Sequence, residues 1–124
     1  MTAPRRIQRR RTKGWRLPDN AVIVSRPSRF GNPFTLATAY ELGYAQHGDA
    51  ETARRAAVGA FTDWLGGNRF MWQSAEGDAS RERILADLHL LRGKDLACTC
   101  PLPEPGQPDH CHGAVLLRLA NPAA

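Results

Sequence analysis

Every cysteine of this chain lies in one stretch, LACTCPLPEPGQPDHCHGAV, residues 96–115. Cys98 and Cys100 precede a loop with four prolines, and Cys111 follows it, flanked by His110 and His112. Three chemistries suit such a set. Zinc takes four ligands in a tetrahedron, and Cys98, Cys100, Cys111 and His112 supply the right number and types. The two-residue gap of a zinc knuckle is absent, however, and C-x-C with C-H is an uncommon pairing. A reactive-thiol site is the second reading. Cys111 would sit in the first turn of a helix, where the dipole and a neighbouring imidazolium depress a thiol pKa. Cys111 would then act as a nucleophile, with Arg26, Asn32 or the helix N–H groups holding an oxyanion or phosphate. In the third reading Cys98 and Cys100 are small apolar residues of a strand, and His112 is a donor at a helix end.

A second group is suited to anions. In SRPSRFGNPF, Arg26 and Arg29 offer forked donors for phosphate or carboxylate. Gly31 lets backbone approach a ligand, and the Asn32 amide both donates and accepts. Read singly, each arginine is a surface charge and Gly31-Asn32-Pro33 is a turn. His47 and His89 read as surface or boundary residues. Trp15, Trp64 and Trp72 read as packing residues, with stacking of Trp15 on a base the weaker alternative.

These groups need elements to hold them. Ala21 to Val24 is an apolar run that fits a strand buried on both faces. Thr35 can cap a short helix to about Tyr44, and Asp49 a longer one. There Ala53, Ala57, Phe61, Trp64 and Leu65 recur on one stripe, and Gly66-Gly67 stops it. Residues 68 to 77 read as a loop anchored by Phe70 and Trp72. A further helix starts at Asp78 or Ser80, buries Ile84, Leu85, Leu88 and Leu91, and stops at a left-handed Gly93. KDLACTC is a second strand. The last helix begins near His110 with Asp109 as N-cap, turns Val115, Leu116 and Leu119 inward, and ends at Pro122.

Helices between strands make those strands parallel. The expected fold is therefore α/β: a small parallel sheet flanked by three to four helices in a single compact domain. A third strand, if there is one, would lie around Phe70 to Gln73. Ligands of open parallel sheets sit beyond the carboxyl ends of the strands. The Arg26-to-Phe34 turn, the C-x-C pair and the Cys111-His112 helix start should thus share one edge, with the helix N-terminus adding unpaired N–H groups.

At 124 residues the chain can bury a core without crosslinks. The odd number of cysteines, with no secretory signal ahead of them, places the protein in a reducing cytoplasm, and no run is long enough to span a membrane. The net charge is +5, and residues 1 to 16 hold Arg5, Arg6, Arg9, Arg10, Arg11, Lys13 and Arg16 with no acid. Removing those seven from the 17 Lys and Arg leaves ten against 12 Asp and Glu, so the remainder is slightly acidic. The basic charge belongs to residues 1–13 and their neighbours, read as a flexible arm that is either a solvated tail or a contact to DNA or RNA phosphates that does not read sequence; residues 14–121 form the domain.

The segments GWRLPDNAVIVSRPSRFGNPF, LHLLRGKDLACTCPL and CHGAVLLRLAN resemble domain-of-unknown-function family 4326, small bacterial and phage proteins. The resemblance runs from about Gly14 to Asn121. It rests on Arg26, Pro27, Gly31, Asn32, Pro33, Phe34, Arg92, Gly93, Cys98, Cys100, Cys111 and His112. Thr99 departs from it, since an aromatic residue is expected between the two cysteines. The family name carries no activity. The leading expectation is a nucleotide- or nucleic-acid-related protein with a phosphate pocket formed by Arg26, Arg29, Gly31 and Asn32, in which Cys100, Cys111 and His112 take part in chemistry if the protein is an enzyme. The alternatives are a zinc-stabilised nucleic-acid-binding module and a small phage or host inhibitor. Nothing in the sequence sets the oligomeric state.

Overall fold

A computed structural model describes residues 3–122. Contacts resolve two compact units: Asn32–Ala86, and the flanking segments up to Gly31 and from Asp87 onward.

The flanking unit is built on a three-stranded parallel sheet of order β1-β3-β2, with β1 at Arg6–Gln8, β2 at Ala21–Ile23 and β3 at Asp95–Cys98. Ile7 and Ile23 both lie opposite Ala97 in the register. Leu96, Ala97 and Cys98 are all buried, as the central strand of a covered parallel sheet requires. Helix α4, His112–Ala120, packs on β3 and β1 and buries Val115 and Leu116. Leu119, expected inward, is 46% exposed. Gly93, at φ +75°, reverses the chain into β3 as expected.

The third strand comes from the N-terminal basic stretch, not from the region around Phe70, which is a short 3-10 turn over Arg69–Met71. This corrects part of the arm expected over residues 1–13, of which residues 1 and 2 lie outside the described residues. Arg6 is buried and Ile7 is half-buried. Composition hid the strand, because a three-residue strand inside a run of arginines carries no alternation that could be read. The consequence is topological. β1 and β2 run the same way on either side of β3, so residues 9–20 must return from the carboxyl edge of the sheet to its amino edge. Arg10, Arg11, Lys13 and Arg16 are exposed along that return. The basic stretch is therefore a strap fastened at both ends.

The other unit is helical. Helix α1 spans Leu36–Glu41 and α2 spans Ala50–Leu65. Thr35 Oγ1 accepts from Thr38 N at 3.1 Å, and Asp49 Oδ1 accepts from Thr52 N at 3.2 Å, each satisfying one of the unpaired donors of a helix start. The α2 stripe of Ala53, Ala57, Phe61, Trp64 and Leu65 is buried as its spacing predicts. Trp64 sits among rings, with centroids 5.8 Å from Phe34, 6.0 Å from Phe61 and 5.9 Å from Trp72. Helix α3, Ala75–Asp87, begins before the expected Asp78 because Ser74 Oγ accepts from Gly77 N at 3.0 Å. Phe70 and Leu85 are exposed, contrary to the packing roles expected for them, whereas Trp72 and Ile84 do pack.

Candidate metal centre

The parallel register fixes where the thiols must go. β3 ends at Cys98, the chain bends through Thr99 and Cys100, and α4 starts beside them. The sulfurs of Cys98, Cys100 and Cys111 lie within 4.8 Å of one another, a group that could hold a metal ion. Cys98 Sγ is 3.8 Å from Cys100 Sγ, and all three thiols are free of disulfides. Thr99 is exposed between them, so the absence of an aromatic ring there leaves the sulfur group itself unaltered.

His112 lies beside the group. Its Nδ1 is 4.0 Å from Cys98 Sγ and 4.0 Å from Cys111 Sγ, while Nε2 is 2.8 Å from the Val24 carbonyl. A carbonyl can only accept, so Nε2 carries a proton and Nδ1 is the ring nitrogen that faces the sulfurs. A backbone carbonyl behind one ring nitrogen is how metal-binding histidines are commonly oriented. Cys111, not the expected Asp109, caps α4, and its sulfur accepts from Gly113 N at 3.4 Å. Asp109 cannot cap because its carboxylate is engaged by Arg6.

Arg6 is the residue that sequence reasoning missed. It is 7% exposed and ion-pairs with Asp109 through Nε and through Nη2, the latter at 3.0 Å from Oδ1. Nη1 donates to the Cys100 carbonyl at 3.0 Å and Nη2 to the Pro101 carbonyl at 2.7 Å. One guanidinium thus joins the segment after Cys100 to the segment before Cys111. Gly113 makes room for it, since a Cβ there would meet Arg6 Cδ at 3.2 Å. In sequence, Arg6 is one of seven basic residues with nothing to single it out.

The electrostatics follow from crowding. Hydrogen bonding to Cys100 and then Cys111 outweighs burial and holds the Cys98 thiol below its ordinary value. Cys111 is pushed up by its contacts with Cys100 and Cys98 and by burial. At Cys100 the contact with Cys111 favours the thiolate, but Cys98 and burial prevail and raise it. Burial opposes the charge on Arg6, yet the Asp109 hydrogen bond and the nearby sulfurs keep its guanidinium above the usual value.

The anion group divides. Arg26 is exposed just beyond β2, and Arg9 Nη1 reaches Ser25 Oγ at 3.4 Å, so basic groups do gather at the carboxyl edge of the sheet. Arg29 pairs with Asp87 at 3.3 Å, its guanidinium carbon 5.1 Å from the Phe30 ring centroid. A Cβ on Gly31 would meet Arg26 Cγ at 2.8 Å and the Ser28 carbonyl at 3.0 Å, so the close approach made there is to its own loop. Asn32 belongs to the helical unit, where its Nδ2 donates to the Ala57 carbonyl at 3.1 Å and its Oδ1 accepts from Phe34 N at 2.9 Å. A cavity of about 400 Å³ in that unit is lined by Phe34, Thr38, Ala60 and Tyr44 among others, and no cysteine or histidine faces it.

The family model described as "Domain of unknown function (DUF4326)" matches residues 7–122. The chain belongs to this family. The match reaches Ile7, in the middle of β1, so the DUF4326 region takes in most of the short edge strand as well as the cysteine group. No significant match is found among curated proteins or among solved structures. No helix of the described residues is long and apolar enough to cross a membrane.

Proposed function

We propose that this DUF4326 chain is a zinc-stabilised nucleic-acid-binding module. The observation that carries the reading is the meeting of three sulfurs, with His112 Nδ1 4.0 Å from two of them. A tetrahedron with metal–sulfur bonds of about 2.3 Å has sulfurs roughly 3.8 Å apart, the separation of Cys98 and Cys100. Three thiolates and one imidazole are a borderline-soft donor set that suits zinc, and four protein ligands make a closed, structural site rather than a catalytic one. Bound there, zinc would tie the end of β3 to the start of α4.

The nucleic-acid half of the reading is supported by the strap. Arg10, Arg11, Lys13 and Arg16 are exposed along the strap and Arg26 is exposed beyond β2; with these five taken out, 12 Lys and Arg balance 12 Asp and Glu, so the excess positive charge lies on them. Such residues contact phosphates and need not read bases. The phosphate-pocket enzyme has less behind it. Cys111 is wholly buried and its thiol is pushed up, whereas a nucleophile needs access and a thiolate. Arg29 and Asn32 are engaged as described above.

Two measurements test the module. Protein purified without chelator should contain close to one zinc per chain, lost on Cys111→Ser. Its affinity for a labelled oligonucleotide should fall steeply with salt, and the slope should shallow by roughly 0.7 to 0.9 for each strap arginine changed to glutamine if that arginine meets a phosphate. A metal-free, fully folded protein ends the zinc half, and an affinity indifferent to salt ends the other.

A further inference from the structure

We infer that Arg6 couples the metal centre to the basic strap, so that metal occupancy sets nucleic-acid affinity. The inference rests on the zinc-module reading above and concerns how that site is regulated.

Cys100 and Cys111 are separated by residues 101–110, of which 101–108 are exposed and form no helix or strand. Two devices close that loop independently. One would be the metal, through Cys98 and Cys100 on one side and Cys111 and His112 on the other. The other is Arg6, whose guanidinium holds the Cys100 and Pro101 carbonyls and the Asp109 carboxylate. Whichever closes first restricts the loop for the second, so each should strengthen the other, and by linkage the strengthening is reciprocal.

Arg6 is also a residue of β1, and β1 is the first anchor of the strap. The strand is three residues long and stands at a sheet edge, held by Leu96 N to Arg5 O at 3.0 Å, Arg9 N to Cys98 O at 2.8 Å, and the buried Arg6 side chain. One of those carbonyls belongs to a metal-site cysteine. Losing the metal loosens the partners of Arg6 and of Arg9 together. β1 then frays, and Arg10, Arg11, Lys13 and Arg16 lose one of their two fastenings. A surface ordered in advance binds more tightly than one that must be ordered on contact.

Cobalt serves as the probe, because its visible bands report tetrahedral sulfur–nitrogen ligation apart from any activity. Arg6→Met should bind cobalt about 10- to 100-fold more weakly than the wild-type chain, with the same bands, since the ligands are intact and only their support is gone. Arg6→Met leaves Asp109 without its partner, which by itself costs stability, so Arg6→Met/Asp109→Leu is measured beside it and should show the same weakening. In the wild-type chain, chelation should speed hydrogen exchange at the Arg9 amide and lower oligonucleotide affinity about tenfold or more. Cobalt affinity unchanged in the double variant overturns the coupling, as does oligonucleotide affinity equal in loaded and chelated protein. A wild-type chain that takes up no cobalt removes the centre itself, and the coupling with it. Normal tetrahedral bands without the weakening overturn the coupling alone.

Discussion

The two units are held by different means. In Asn32–Ala86 an apolar stripe on α2 packs inward around Trp64, and the polar groups that matter are helix caps. In the flanking unit the decisive contacts are polar or thiol-based: a guanidinium on two carbonyls and a carboxylate, an imidazole on a carbonyl, and three sulfurs in contact. The first kind of core tolerates exchange of one apolar group for another at modest cost, because dispersion and burial have no direction. The second kind depends on distance and angle, and it fails at once when a partner is removed. A helical unit built on periodicity and a sheet unit built on specific pairs should therefore respond to different perturbations.

The sharpest way to break this comparison is at the metal. Cys111→Ser should abolish tetrahedral cobalt bands and lower the stability of the metal-loaded protein by about 4 kcal/mol or more, with exchange protection lost first at β1 and β3. Equal loss throughout α2 would mean the units do not differ in this way. The converse substitution is Phe61→Ala, at a site with no exposed surface. It should cost about 3 to 4 kcal/mol in denaturant unfolding while cobalt affinity stays within twofold of wild type. A smaller effect is expected from Thr35→Ala, which removes the α1 cap and should cost about 1 kcal/mol, again without touching the metal.

The finest test is of protons. Cys98 is held below its ordinary value, whereas Cys100 and Cys111 are held above theirs. Loading should release protons from the raised thiols, and affinity should climb with pH. The signs for the metal-free fold are opposite at the two kinds of thiol. The raised groups add stability below the ordinary thiol value, and it is lost as pH rises through their folded values. The depressed Cys98 adds stability above the ordinary value, and it is lost as pH falls through its folded one. Calorimetry in buffers of different ionisation heat counts the protons. No release would show that the raised thiols are not ligands.

How legible each unit is in sequence follows the same division. Periodicity gave Ala53, Ala57, Phe61, Trp64 and Leu65 correctly because burial imposes a 3.6-residue repeat over a long helix. The convergence of Cys98, Cys111 and His112 was legible from the parallel topology, and their grouping with Cys100 from residue type. Arg6 and the strand around it were not. One buried arginine among six other basic residues is distinguished only by its partners, and those lie about a hundred positions away. For the same reason Asp109 read as a cap, a local role, when its true partner is Arg6.

The register of β1 has a consequence for synthesis. Arg6 lies opposite Leu96, so the first strand to leave the ribosome pairs with one that emerges about ninety residues later. The helices of Asn32–Ala86 are contiguous in the chain and can collapse while β1 and β2 still wait for their central neighbour. The sheet closes last, on a strand that ends at Cys98 and is followed two residues later by Cys100. The sulfur group is thereby completed only after all of Asn32–Ala86 has emerged, because Cys111 follows β3 in the chain.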